Sequence, residues 1–456
     1  MRDKSDRTFM EREAIPRLLA RFAAPALAGM LANALYNIVD RIFVGHAVGA
    51  HGIAAIALSF PSMLFFASMA FLIGVGAASR ISIQLGEKAK EDAERTLGNA
   101  LCMAVLSSLI FWLVGRAFFG DILRLSGASD ALFPVAASYL SIILYGIVFN
   151  VVSFSVSSQI RACGSPAYAM GSQIIGAVVN IALDAWFVIG LGKGVEGAAL
   201  ATVISQCVSM LWGFSYFLMP KAALRLRPRF ILRIDPSTIA RIVTVGTPAC
   251  LVNLNFVLMH GVITNASSTY GGDLAVSATG IFMGMDSLLF MPAVAIAEAC
   301  QPIVGYNYGA GRIDRVIATV KMSVLFTTIF YLTSFTAIMC FAEYMAMMFN
   351  SDDMELIKLT AKAMRVANIG IPVMGLSVVT TSFLQGLGMG REGLYLAALK
   401  FGIFLWIPLL VMPRYFGVYG AWGSFPISDV FGSAISLVVT VRTTRGLRAG
   451  GTERAH

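Results

Sequence analysis

The sequence predicts an all-α integral membrane protein with twelve transmembrane helices in two six-helix lobes, related by a pseudo-two-fold axis along the membrane normal. Composition is the first observation: 57% of the 456 residues are hydrophobic, 13% are charged, and the mean hydropathy is +0.78. Soluble domains carry about 25% charged residues. The second observation is that apolar runs longer than about 18 residues, enough to cross a hydrocarbon layer of about 30 Å, recur along the chain. The third is an internal repeat. A β-barrel would instead show alternating segments of about ten residues, which this sequence lacks.

Twelve apolar segments account for most of the chain. Their predicted limits are 15–43, 52–77, 96–118, 131–157, 168–191, 196–218, 238–264, 275–300, 317–343, 357–385, 393–413 and 417–441. A basic linker at 220–237 separates an N-terminal lobe, 1–219, from a C-terminal lobe, 238–456. The first residues, "MRDKSDRTFMEREAIPRLLAR", show no small-residue cleavage site after a short apolar core. We therefore interpret them as a tail that leads into the first span.

Basic residues occur in alternate loops and so predict the topology. Lys and Arg are concentrated in the N-terminus, in Arg80 to Arg95, in Lys221 to Arg241 and in the tail from Arg442. The intervening loops, such as "HAVGAHG", "STYGGD" and "FNSDDME", contain few of them. The positive-inside rule then places both termini in the cytoplasm of a multi-pass protein of the cytoplasmic (inner) membrane. Topology accounts for the net charge of +9, and we predict no nucleic-acid partner.

The six cysteines form no close pair and fall mostly within the predicted spans. We interpret them as small apolar packing residues, not as disulfides or metal ligands.

The two halves are repeats at an offset of 223 positions. Pro25 then coincides with Pro248 and Gly86 with Gly309, and "GVEGA" at 194–198 lies over "GVYGA" at 417–421. Each repeat has an even number of spans, so both enter the membrane in the same direction, as in one class of transporter. In that class the cargo binds near the midplane, in the cleft between the repeats.

The segment "YNIVDRIFVG" places an aspartate within the first span. An ionisable group in the bilayer costs about 2.5–3.5 kcal/mol on insertion scales, so Asp40 needs a reason to be there. Tyr36 and Asn37 precede it by four and three residues and therefore share its helical face.

Spans five and six add further oxygen atoms at a similar depth. Asn180 and Asp184 are four residues apart in span five, and Ala198 and Thr202 are four apart at the start of span six. Carboxylate, amide, hydroxyl and carbonyl oxygens suit a hard cation, and two close carboxylates can also hold a proton. The residues predict a cation or proton site at Asp40, Asn180, Asp184, Thr202 and the Ala198 carbonyl, with Na⁺ as one candidate occupant.

The alternative is that these polar residues only hydrogen-bond neighbouring helices. The repeat argues against it, because the twin lobe has apolar residues at the equivalent positions. Asp40, Asn180, Asp184 and Thr202 fall on Ile263, Ile403, Ile407 and Phe425. A cluster needed only for packing would be expected in both lobes.

Nearly the whole chain resembles the multidrug and toxic compound extrusion (MATE) family, in its MepA-like branch. The resemblance depends on "YNIVDRIFVG", on "RACGSPAYAM" after span four and on "EACQPIVGYNYGAGR" after span eight, together with the two six-span lobes. It implies a secondary antiporter, not an enzyme, that exports amphipathic and mostly cationic drug-like compounds in exchange for H⁺ or Na⁺. It also implies a protein of the lipid bilayer that needs no cofactor beyond the coupling ion. We expect a monomer.

The resemblance also assigns roles to residues. The family's first-lobe cation site matches Asp40, Asn180, Asp184, Thr202 and the Ala198 carbonyl. Its bending proline in span one matches Pro25, and the cavity-lining positions match Tyr36 and Tyr139. We also predict Asn37, on the same helical face as Tyr36, as a cavity-lining or substrate-contacting residue. Some members also use carboxylates in spans seven and ten, but this chain has none there.

The second lobe offers weaker candidates. Asp286 lies in span eight beside Met283, Met285 and Met291, and flexible thioethers next to a carboxylate would suit varied lipophilic cations. We predict Asp286 and Met291 as cavity-lining or substrate-contacting residues, with ordinary helix packing as the alternative. Glu298, near the end of the same span, and His260 in span seven are left open as participants.

Two other functions compete with drug efflux. A flippase for a lipid-linked saccharide would line its cleft with basic residues, whereas the deep charges here are mainly acidic, with Arg41 and Lys400 as exceptions. An exporter of a native metabolite would share all the features above. A membrane-embedded enzyme would need a nucleophile or metal motif, and the sequence contains neither HExxH nor a P-loop.

Overall fold

The computed structural model describes residues 9–349 and 353–453, and all regular secondary structure in these ranges is helical. The predicted all-α class is therefore confirmed. Parts of three predicted features lie outside the described residues: positions 1–8 of the N-terminal tail, 350–352 of the acidic loop and 454–456 at the C-terminus.

From residue 9 onwards, the described part of the first half forms nine helices before the long tenth one. They are α1 (Phe9–Arg12), α2 (Ile15–Val48), α3 (Ala50–Gly86), α4 (Lys90–Ala117), α5 (Phe119–Leu125), α6 (Phe133–Ala162), α7 (Pro166–Asp184), α8 (Gly194–Leu218) and α9 (Pro228–Leu232). A π-helical segment, Ala185–Gly190, continues α7 directly.

The second half is more broken. It contains α10 (Pro236–Gly309), α11 (Ile313–Met347), α12 (Met354–Ala367), α13 (Ile371–Gly386), α14 (Gly390–Ala397), α15 (Trp406–Val411), α16 (Pro413–Phe416) and α17 (Val418–Glu453). A second π-helical segment, Ala398–Ile403, follows α14.

Within the described ranges, ten helices are long and apolar enough to cross a membrane, and two features raise that number to the predicted twelve. The 74 residues of α10 would measure about 110 Å if straight, far more than a bilayer. Its backbone leaves the helical region at Gly272 (φ 67°, ψ −167°), so α10 comprises two spans. The pair α12 and α13, bent by 54°, supplies the remaining crossing.

The tenth and eleventh predicted spans are not single regular helices, and prolines explain why. Pro372 occupies the first turn of α13, where its missing N–H is tolerated and its ring disfavours continuation of the preceding helix. The eleventh span consists of α14, the second π-helical segment, α15 and α16, with Pro408 inside α15 and Pro413 at the start of α16.

The described residues form two compact units. The first comprises 9–10 and Ala24–Leu254, and the second comprises Glu11–Ala23 and 255–453. The start of α10 belongs to the first unit, where it crosses α3 with backbone against backbone. A side chain at Gly76 would collide with the Ile242 carbonyl, and one at Gly246 with the Leu72 carbonyl. Small residues at a helix crossing permit such close approach.

The segment between α8 and α10 is held against α4 of the first unit. Glu94, 1% exposed, forms an ion pair with Arg227, whose Nε lies 2.7 Å from Glu94 Oε2, and accepts a hydrogen bond from the Arg225 amide at 3.2 Å. Asn99 donates to the Phe230 carbonyl at 3.2 Å and accepts from the Asp235 amide at 2.7 Å.

The core of the second unit surrounds Trp422, which is fully buried in α17. Its indole donates to Thr279 Oγ1 at 3.0 Å, and the Thr279 and Ser267 hydroxyls are 2.8 Å apart. Both halves of α10 therefore pack around α17 through satisfied polar groups as well as through apolar contacts.

Candidate cation site in the first unit

Helices α2 and α7 run side by side in the same direction, and a close contact sets their register. A side chain at Gly29 would collide with the Gln173 amide, and Asn33 Nδ2 donates to Gln173 Oε1 at 3.3 Å. Eleven residues after Gly29 is Asp40, and eleven residues after Gln173 is Asp184. Equal numbers of residues give equal rises along two helices, so the two aspartates reach the same level.

Helix α8 runs antiparallel to α7, and a reciprocal hydrogen bond aligns them. Ser209 Oγ donates to the Ser172 carbonyl at 3.0 Å, and Ser172 Oγ donates to the Ser209 carbonyl at 3.4 Å. Counting from this pair, Asp184 is twelve residues along α7, and Ala198 is eleven residues back along α8. The structure thus brings the predicted residues of spans one, five and six to one level.

The two aspartates are buried against each other. Asp40 is 6% exposed and Asp184 is 0% exposed, and their carboxyl groups lie within hydrogen-bonding reach of one another. No donor of the described residues reaches Asp40 Oδ1 or either oxygen of Asp184. Two ionised carboxylates at this distance repel each other in a buried environment. A proton or a cation between them would relieve that repulsion.

The other predicted ligands are buried at a similar level of the helices. Asn180 is 1% exposed, and neither its amide oxygen nor its amide nitrogen has a hydrogen-bond partner among the described residues. Thr202 is 5% exposed and Ala198 is fully buried. Because α8 is continuous through Ala198, regular bonding directs that carbonyl to the amide of residue 202 and leaves only its second lone pair for a ligand.

The backbone changes type at the site. The π-helical segment Ala185–Gly190 begins immediately after Asp184. π-Bulges widen a helix and occur often at functional sites. Here the change follows directly after Asp184, whose two carboxylate oxygens have no donor among the described residues.

Two of the predicted tyrosines lie near the carboxylates. Tyr139 is 2% exposed and Tyr36 is half-buried, and both are close enough to interact electrostatically with Asp40 and Asp184. Asn37 is exposed, and its Nδ2 donates to the Asn33 carbonyl of its own helix at 2.7 Å.

Helix α2 continues through Pro25, the predicted point of bending. The ring removes one backbone donor from the helix at that position, as a bending point requires.

The site differs from a conventional metal centre. The described residues contain no group of three His, Cys, Asp or Glu side chains arranged to hold a metal ion. Two carboxylates with an amide and a hydroxyl nearby suit a proton or a hard monovalent ion instead.

The predicted residues of the second unit are more dispersed. The Asp286 carboxyl is half-buried and lies within hydrogen-bonding reach of the Asn368 side chain. Met291 is half-buried, while Met283, 8% exposed, packs in the core around Trp422. The His260 ring lies edge-on to Phe256 with centroids 4.4 Å apart, and its buried Nε2 has no partner in the part of the chain described. Glu298 is half-buried near the end of α10.

Sequence reasoning missed one buried charged pair. Lys400 and Asp429 form an ion pair with Nζ and Oδ1 3.4 Å apart. The available signal was an aspartate inside the apolar span "SFPISDVFG", opposite a lysine that the sequence already showed to be deep.

The twelve spans, the two units and the buried carboxylate pair define a multi-pass helical membrane protein of the transporter class. The sequence profile of the MatE family matches residues 25–186 and 248–411. These segments make up most of the chain and fall in both repeats, so this chain belongs to the MatE family, as the resemblance predicted.

Relatives and solved structures agree with this assignment. The chain is 24% identical over 423 residues to "Multidrug export protein MepA" of Staphylococcus aureus (strain MSSA476), covering 92% of both proteins. The protein of that name from Staphylococcus haemolyticus (strain JCSC1435) is 24% identical over 435 residues, with 94% of each covered.

Among solved structures, a complex of the MATE multidrug transporter DinF-BH is 36% identical, with a TM-score of 0.87 and coverage of 94% of this chain and 96% of that one. A MATE structure in a bent conformation shares the fold with a TM-score of 0.92 at 22% identity, covering 98% of this chain and 99% of that one.

Proposed function

We propose that this chain is a secondary antiporter that exports amphipathic, mostly cationic organic compounds in exchange for H⁺ or Na⁺. Membership of the MatE family supports transport, and the relatives named as multidrug export proteins support drug-like cargo. The coupling is inferred from the buried pair of Asp40 and Asp184, in which Asp40 Oδ1 and both oxygens of Asp184 lack donors among the described residues.

The coupling follows from electrostatics. With a proton or Na⁺ bound between them, half of the charge of the two carboxylates is neutralised and their repulsion is relieved, so the outer halves of α2, α7 and α8 pack in one arrangement. Without it, the two carboxylates repel each other and favour another arrangement or a cationic substrate. A ligand shifts a conformational equilibrium only by its difference in affinity for the two states, and neutralisation supplies that difference here. The helix that carries Asp40 contains Pro25, where a bend is least costly.

The flippase alternative receives less support from the deep basic residues. Lys400 is already paired with Asp429, and Arg41 is exposed, with its guanidinium 5.7 Å from the Phe60 ring centroid. A pyrophosphate group would need several free cations at one depth. The second unit instead presents Asp286, which suits a cationic cargo.

The test is efflux of a fluorescent cationic dye from proteoliposomes, with the Na⁺ gradient and the pH gradient imposed separately. We expect one gradient to drive uptake or release of dye against its concentration difference. For variants that remove Asp40 or Asp184, Asp130→Asn is the matched control, because the Asp130 side chain is 98% exposed and far from the pair in sequence. Equal dye movement with and without either gradient would contradict antiport.

A further inference from the structure

Lys400 is a charged group held deep inside the second unit. The residue is 5% exposed, and it lies in the π-helical segment Ala398–Ile403. Its Nζ donates to Ser377 Oγ at 2.7 Å and lies 3.4 Å from Asp429 Oδ1. The ammonium group therefore bridges a hydroxyl on α13 and a carboxylate on α17.

The surrounding backbone is shaped to admit this side chain. A Cβ at Gly432, three residues after Asp429, would lie 2.8 Å from Lys400 Cγ and 3.0 Å from Cδ, so the lysine stem runs over the glycine. Ser428 Oγ donates to the Lys400 carbonyl at 3.0 Å, which fixes the π-helical backbone to α17. A Cβ at Gly370, in the break between α12 and α13, would lie 2.8 Å from Asp429 Cβ.

Further polar and titratable groups lie near the ion pair. Asp286 from α10 and Tyr331 from α11 are close enough to interact electrostatically with Asp429, and Ser377 on α13 accepts from Lys400. Asn368, just after α12, lies beside Asp286. Tyr331 is fully buried, and its hydroxyl has no partner in the described residues. The pocket therefore contains one ammonium group, two carboxyl groups and a phenol without a hydrogen-bond partner.

The position of Nζ, between a hydroxyl oxygen and a carboxylate oxygen, is where a small cation would bind if the lysine were absent. We propose that Lys400 is a tethered cation that permanently fills a small-cation site formed by Asp429 and Ser377 in the second unit. Removing the ammonium opens that site to a free monovalent cation, Na⁺ or H⁺. This proposal goes beyond the coupling proposed for Asp40 and Asp184 and holds whether or not that coupling is correct.

Thermal unfolding of purified protein tests the proposal. Lys400→Met keeps an apolar stem and removes the charge, while Lys400→Met with Asp429→Asn also removes the carboxylate. In choline chloride at alkaline pH, we expect the single variant to melt roughly 5 °C or more below the double variant, because it leaves a buried charge unpaired. Replacing choline by Na⁺, or lowering the pH, should recover at least half of that difference. The two arms distinguish Na⁺ from H⁺.

The double variant is the matched control, since both chains have the same first unit. Any cation dependence of Asp40 and Asp184 is common to both and cancels in the difference. If Lys400→Met does not fold, Lys400→Gln replaces it, because the amide can still donate to Ser377 or Asp429. The proposal is overturned if the single variant melts lower at every Na⁺ concentration and pH alike, which would make the pair a structural contact only. A double variant as cation-dependent as the single one would also overturn it.

Discussion

The two units place buried carboxylates in different surroundings. In the first unit, Asp40 and Asp184 face each other, and no basic side chain of the described residues hydrogen-bonds to their buried oxygens, although Arg41 is close enough to interact with Asp40 electrostatically. In the second, Lys400 lies 3.4 Å from Asp429 and belongs to the chain itself. A free cation can leave and a tethered one cannot. Only a cation bound in the first arrangement could exchange with the surroundings, so we expect ion coupling to depend on the first unit.

The largest effect is expected from removing charge in the first unit. Asp40→Asn and Asp184→Asn each take away one carboxylate, so the two groups no longer repel each other when the site is empty and the binding of a cation no longer changes that repulsion. Gradient-driven dye efflux from proteoliposomes should fall to the level of empty vesicles, while the protein still folds and melts near the wild-type temperature. Asp130→Asn, at an exposed position, should transport normally. Full gradient-driven efflux by Asp40→Asn would remove the basis for assigning coupling to this pair.

The next largest effect is expected from introducing a covalently attached cation into the first unit, as Lys400 provides in the second. Asn180→Lys places an ammonium beside Asp40 and Asp184, where the native amide has no hydrogen-bond partner in the described part of the chain. A tethered cation there should abolish coupled efflux. It should also reduce any effect of Na⁺ or pH on the melting temperature, measured by tryptophan fluorescence. Asn180→Leu is the control, since it removes the amide without adding charge. If the lysine variant kept wild-type coupling, the contrast between exchangeable and tethered cations would not explain the difference between the units.

Part of the first site could be predicted from the sequence alone. Helical periodicity and the cost of a carboxylate in a membrane were enough to select Asp40, Asn180 and Asp184, because those residues share faces of regular helices. The registers of α2 with α7 and of α7 with α8 then follow from Gly29 and from the pair of Ser172 and Ser209.

The missed features all depend on irregular backbone. The pairing of Lys400 with Asp429 requires a π-helical segment and room over Gly432, and neither can be read from residue spacing. Pro372 explains why the helix breaks before α13, but the sequence does not predict the 54° angle of the bend. Sequence spacing predicts what regular helices bring together, whereas a broken helix redirects side chains by an amount that only packing decides.

A smaller effect is expected at Asp286. Asp286→Asn removes the charge but keeps an oxygen that can accept from Asn368. Loss of one charge-assisted contact should raise the KM for a cationic dye by roughly tenfold, and the KM for an uncharged substrate should not change. Parallel efflux measurements with the two substrates separate binding from coupling, because the ion dependence should stay wild type. A loss of coupling comparable to that of Asp40→Asn would place an essential charge in the second unit and contradict the comparison.

The smallest effect concerns the packing that aligns the first site. Gly176 is buried in α7, and a methyl group there would collide with Ser209 Oγ, whose rotation would break its bond to the Ser172 carbonyl. A lost buried hydrogen bond costs about 1 kcal/mol, and the helix preference for alanine over glycine offsets a similar amount. Gly176→Ala should therefore change the melting temperature little but reduce coupled efflux, because α8 moves relative to Asp184. Gly261→Ala is the control: nothing lies within 4 Å of its added methyl, so it should stabilise the second unit by up to about 1 kcal/mol and leave efflux unchanged. Equal effects of the two substitutions on efflux would mean that the alignment of α7 and α8 does not limit transport.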